Sequence, residues 1–67
     1  MDSSWVKIYI STQAHKVEIV KSVLEDNNIK SVILNKKDSS YLFGEIELYV
    51  KNDDVIRAKH IISKNEL

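Results

Sequence analysis

Cysteine and proline are absent from the 67 residues, and glycine occurs once, at Gly44. Without cysteine there is no disulfide and no thiolate metal site, so a chain near the lower size limit for a single core must hold together by packing alone. The missing thiols fit a reducing compartment, and cytoplasmic residence is the expectation. With so little proline and glycine, linkers and low-complexity tails are not expected either. Nor is one sign of charge in excess. Ten Lys and Arg balance ten Asp and Glu, which leaves no long-range positive field to draw the chain onto phosphate backbones. No apolar run approaches the roughly 20 residues that span a bilayer. The opening MDSSWVKIYISTQ also lacks a basic start followed by an apolar stretch, so neither membrane insertion nor export is expected. The chain reads as one domain over 5–63, with flexible ends at 1–4 and 64–67.

What is present is a clear succession of periods. Residues 5–11 alternate strictly, with Val6, Ile8 and Ile10 on one face and Trp5, Lys7 and Tyr9 on the other, which predicts a first strand. Thr12 is placed to cap a helix over 13–27 whose apolar stripe is Ala14, Val17, Val20 and Leu24. Asn27 and Asn28 would end it, because asparagine tolerates the left-handed backbone that closes a helix. A second strand over 29–36 carries aliphatics on both faces, Ile29 and Ile33 against Val32 and Leu34. Alternation alone leaves open which pair faces the helices. The polar stretch 37–40 is a connection, and Gly44 marks a turn or bulge before a third strand, GEIELYV at 44–50. Asn52 or Asp53 then caps a second helix with the stripe Val55, Ala58 and Ile62. Asp53 and Asp54 lie in its first turn and Lys64 near its end, as the helix dipole favours.

The order β-α-β-β-α predicts an α+β fold, a ferredoxin-like (split β-α-β) plait with a three-stranded sheet and two helices on one face. By that analogy a right-handed crossover places the third strand between the first and second.

The pattern resembles a bacterial family labelled "putative prokaryotic signal transducing protein". The resemblance is carried by the opening apolar strand, by Leu24 with the tight turn Asn28-Ile29, by the strand Glu47-Leu48-Tyr49-Val50, and by the acidic cap Asp53 and Asp54 before Ala58. It covers roughly 5–62. Asn28 stands where glycine is common in the family, a replacement that suits the same backbone. The resemblance implies a small regulatory fold and brings no functional residues with it.

The candidate site is the outer sheet face. Trp5, Tyr9, Val32, Leu34 and Tyr49 form an apolar patch of interface size, with Lys7, Glu45 and Glu47 as its polar border. Lys7 with Glu45 or Glu47 would add a cross-strand ion pair. The expected function is a non-enzymatic protein-interaction or regulatory module, as a homodimer or with an unidentified protein partner; an open edge on the first strand and a small core both favour association. The alternative is a small-ligand or metabolite sensor, binding at a subunit interface or at the 35–43 loop, where Lys36, Lys37, Ser39 and Ser40 could take an anion.

RNA binding is a distant third. Ile8-Tyr9-Ile10 is similar to the first-strand signature of RNA-recognition domains, and Tyr9 and Tyr49 could stack on bases, but the neighbouring glutamates would repel phosphates and the basic third-strand motif is missing. His15 and His60 fall on separate helices away from the apolar stripes, without a ligand spacing. Ser3, Ser4, Ser39 and Ser40 have no base beside them. No cofactor, metal or catalytic residue is expected, and Glu45 with Glu47 or Asp53 with Asp54 lack the cleft that acid-base work requires.

Overall fold

A computed structural model describes residues 4–35 and 44–67. In chain order they form β1 (Trp5–Ser11), α1 (Ala14–Asp26), β2 (Ser31–Asn35), β3 (Ile46–Lys51), a 3-10 turn (Asn52–Asp54) and α2 (Val55–Lys64). The architecture is α+β. Its three strands make one antiparallel sheet in the order β1-β3-β2, so β3 is central. This order and the two helices are compatible with the expected plait.

The alternation of β3 organises the core. Ile46, Leu48 and Val50 are buried with Val17, Val20 and Leu24 of α1, Ile29 before β2, and Ala58 of α2. Because directly opposed residues share a face, the register of β2 settles what its own sequence left open. Ser31 lies opposite Val50 and Ile33 opposite Leu48, on the helix side. Val32 lies opposite Tyr49 and Leu34 opposite Glu47, on the outer side.

β1 departs from strict alternation. Trp5, Val6 and Lys7 oppose Lys51, Val50 and Tyr49, but after a register shift Tyr9, Ile10 and Ser11 oppose Leu48, Glu47 and Ile46. Ile8 is the extra residue of a β-bulge, and beyond it the two faces exchange their side chains. Tyr9, expected on the outer face, therefore turns to the helix side and packs with Ile8 against the core. Ile10, expected inside, turns outward and is 43% exposed. The bulge puts two consecutive large side chains into the core where regular alternation would admit one, a gain of apolar burial that offsets the lost ladder pairing.

The helix starts also differ from expectation. Thr12 does not cap α1; the N-cap position is Gln13, without a side-chain cap, and the Gln13 amide donates to Ser11 Oγ at 3.1 Å. Ala14 is exposed, so the buried stripe is Val17, Val20 and Leu24. Neither Asn52 nor Asp53 caps α2 through its side chain. The chain makes the 3-10 turn instead, in which Asp53 and Asp54 lie.

Both helix ends share one device. After α1, Asn28 adopts φ 61°, its amide donates to Glu25 O at 3.0 Å, and the Ile29 amide reaches Leu24 O at 2.9 Å. This is a Schellman motif, and its hydrophobic clasp joins Leu24 to Ile29, both in the core. After α2, Glu66 adopts φ 55°, its amide donates to Ser63 O at 3.2 Å, and the Leu67 amide reaches Ile62 O at 3.0 Å. Leu67 packs against the core. Residues 65–67 thus carry backbone hydrogen bonds to α2.

Two tests by urea denaturation follow from these positions. A left-handed backbone costs glutamate more than asparagine and costs glycine least. Glu66→Gly is therefore expected to raise the unfolding free energy by about 1 kcal/mol and Asn28→Gly by less; a destabilising Glu66→Gly would contradict the cap. Ser31 is buried on the helix side and its hydroxyl has no partner among the described residues. Ser31→Ala is expected to stabilise by about 1 kcal/mol, since a buried unpaired hydroxyl carries its desolvation penalty uncompensated. Unchanged or lowered stability would contradict that reading.

Candidate functional site

Two surfaces carry chemistry, one on each side of the sheet. The outer face has Trp5, Lys7 and Ile10 from β1, Glu47, Tyr49 and Lys51 from β3, and Val32 and Leu34 from β2, as the strand registers dictate. Its centre is Glu47, whose cross-strand neighbours are Ile10 on one side and Leu34 on the other. Glu47 is only 4% exposed, while Ile10 and Leu34 are 43% and 36% exposed.

A buried carboxylate is costly unless it is paired and hydrogen-bonded. Glu47 Oε2 accepts from Lys7 Nζ at 3.3 Å, and Oε1 accepts from the Tyr49 hydroxyl at 2.8 Å. The cross-strand ion pair expected for Lys7 thus forms with Glu47. Glu47, read as border from the sequence, lies at the centre of the face, and Glu45 is exposed and precedes the strand. Toward the other end of β1, Lys51 Nζ sits 4.5 Å from the centroid of the Trp5 ring and donates to Ser4 Oγ at 3.1 Å. That contact fixes the indole over the sheet while its cation stays wet.

Of the expected patch, Trp5, Val32, Leu34 and Tyr49 share this face and Tyr9 does not. Tyr9 and Tyr49 consequently lie on opposite sides of the sheet and form no common stacking platform. Ile10 belongs to the face and was missed, because its side depends on the bulge. The loop candidates Lys36, Lys37, Ser39 and Ser40 lie outside the described residues. His15 and His60 are exposed. Among the described residues no group of three or more His, Cys, Asp or Glu could hold a metal ion, and no helix is long and apolar enough to cross a membrane.

On the helix side, α1 and α2 are tied at one end. Arg57 of α2 donates to the Asn27 carbonyl at 2.9 Å and, at 3.4 Å, to Asp54 of its own segment. At the other end of the helices a cleft of about 360 Å³ opens, lined by Tyr9, Lys16, Ile19, Val20, Glu66 and Leu67. Its formation needs both features that alternation and terminal position do not disclose, the bulge that turns Tyr9 inward and the cap that seats Leu67. One signal was legible. Asn65-Glu66-Leu67 follows Ile62 with the spacing at which Asn27-Asn28-Ile29 follows Leu24.

Residues 5–66 match the model of a family described as "Putative prokaryotic signal transducing protein". The chain belongs to this family. The matched span runs from the first residue of β1 to the left-handed residue of the second helix cap, so it contains the bulge, the Glu47 cluster and the cleft's lining except Leu67. No curated protein and no solved structure matches the chain.

The Glu47 cluster has a consequence at high pH. The hydrogen bond to Glu47, then burial, then the repulsive Glu47 charge all raise the Tyr49 pKa above its ordinary value. A group with its folded pKa raised contributes stability that is present below its unfolded value of about 10 and lost as pH rises through the folded pKa. The stability difference between the native chain and Tyr49→Phe is therefore expected to be constant from pH 7 to 9 and to shrink above about pH 10. A difference that widened with pH would contradict the hydrogen bond.

Proposed function

We propose that this chain is a non-enzymatic interaction module of regulatory type, a ferredoxin-like plait short of its outer strand, which docks a protein partner through the sheet face opposite its helices. The observation that carries this reading is the composition of that face around Glu47. Ile10, Leu34, Val32 and Tyr49 lie about a carboxylate whose bonds to Lys7 and Tyr49 stiffen the centre, and Trp5 extends the face toward Lys51. Aromatic and aliphatic side chains about a satisfied polar group match the make-up of interface centres, where loose charges are depleted. Trp5 and Tyr49 offer large contact areas at low rotamer cost, as interface anchors do. The family's signalling description accords with a module that binds and releases partners without chemistry.

Ile10 and Leu34 are the outermost aliphatics of the face, so charged replacements there spare the core. The double variant Ile10→Lys, Leu34→Glu is expected to fold with a melting temperature close to the native one. It should lose the proteins that native chain retains from cell extract and any concentration-dependent mass in sedimentation. If the folded variant keeps the same bound proteins and the same mass as native chain, the docking face lies elsewhere.

A further inference from the structure

From the cleft between the open ends of α1 and α2, we propose a binding site for a small zwitterion with an apolar body, of the chemical class of an aliphatic α-amino acid. The site is separate from the outer face, since the sheet lies between them.

Three observations carry it. The first is shape and lining. A depression of about 360 Å³ has apolar walls from Ile19, Val20 and Leu67, with Tyr9 at the sheet. That volume lies in the range of small-molecule pockets, which combine apolar walls with a few polar groups that set orientation. Ile19 is 50% exposed, so the wall keeps apolar area for a ligand to cover.

The second is charge. Lys16 on α1 and Glu66 after α2 both line the cleft, and among the described residues they pair neither with each other nor with another group. Two other charge pairs form in the helical layer, Lys21 with Glu25 and Arg57 with Asp54, while Glu18, Asp26, Lys59 and Lys64 are exposed on its outside and do not line the cleft. One unpaired cation and one unpaired anion across an apolar opening match a ligand carrying both signs, its carboxylate to Lys16 and its ammonium to Glu66.

The third is backbone conformation. Of the two matching helix caps, the one remote from the cleft places Asn28 in the left-handed position, a residue that accepts it readily. The one at the cleft places Glu66 there, at φ 55°. Glutamate is a poor choice for the cap alone, and a sparsely favoured backbone held at a cavity rim is the kind of outlier that accompanies a site. The bulge adds to this, since it aims Tyr9 at the cleft and bulges recur where a side chain must be redirected.

The test is an amide-correlation NMR titration of the full chain with leucine, leucinamide and N-acetyl-leucine. Leucine is expected to bind with a dissociation constant on the order of millimolar, as suits a ligand of so few atoms, with shifts concentrated at Tyr9, Lys16, Ile19, Val20, Glu66 and Leu67. Leucinamide and N-acetyl-leucine, each lacking one charge, should bind about 1.5- to 5-fold more weakly, the range for a solvent-exposed ion pair. Lys16→Gln and Glu66→Gln, both at exposed positions, should weaken leucine by similar factors and should abolish the difference between leucine and the analogue lacking the matching charge. Shifts that stay linear to tens of millimolar, equal binding of the three compounds, or shifts centred on the outer face would each overturn the proposal.

Discussion

The register shift at Ile8 is the constraint on which the two surfaces depend. One extra residue in β1 exchanges the faces of everything after it, so a single strand supplies Trp5 and Lys7 to the outer side, Ile8 and Tyr9 to the core, and Ile10 to the outer side again. Without the bulge, Tyr9 would stand beside Glu47 and Ile10 would fill the helix side. The outer face would then lose an aliphatic at its centre, and the cleft would lose its aromatic residue. Because side-chain period in a strand is two, no gradual compromise exists between these arrangements.

The second organising element is β3, paired on both edges and buried on both sides at its middle. Its inner residues are unbroken aliphatics. Its outer residues are Glu47, Tyr49 and Lys51, and Glu47 accepts from both Tyr49 and Lys7. An ion pair with one partner half exposed, as Lys7 is here, is weak evidence for stability, because burying the other charge costs about as much as the screened attraction returns. What such a pair does supply is fixed geometry. Lys7 can meet Glu47, and Tyr49 can oppose Lys7, in one register only, so the polar group at the centre of the face discriminates against slipped pairings of β1.

Much of this was legible in the residues. The element order, the central place of β3, the Val17-Val20-Leu24 stripe and the left-handed asparagine follow from period, turn chemistry and connection rules. The phase of β2 was not, because Val32, Ile33 and Leu34 are aliphatic on both sides and only their partners on β3 choose between them. The bulge was not, because W-V-K-I-Y-I alternates well enough to conceal an inserted residue, and the gain from burying Ile8 with Tyr9 exists only once the core is assembled. The caps at Thr12, Asn52 and Asp53 were misread for a related reason. A capping residue states a capacity to bond an amide, and the backbone of the preceding residues decides whether the bond forms; here Ser11 meets the Gln13 amide first. The role of Glu47 was read as border from its charge, when its position at the middle of the central strand makes it the most enclosed group of the face.

The phase reversal in β1 can be measured without reference to any partner. Nuclear Overhauser contacts from the Tyr9 ring are expected to reach the methyl groups of Val20 and Leu67, while those from the Ile10 methyls reach Leu34 or the Glu47 side chain. Contacts from the Tyr9 ring to Tyr49 or Val32, with Ile10 touching the core, would show an unbulged strand and contradict the account of both surfaces.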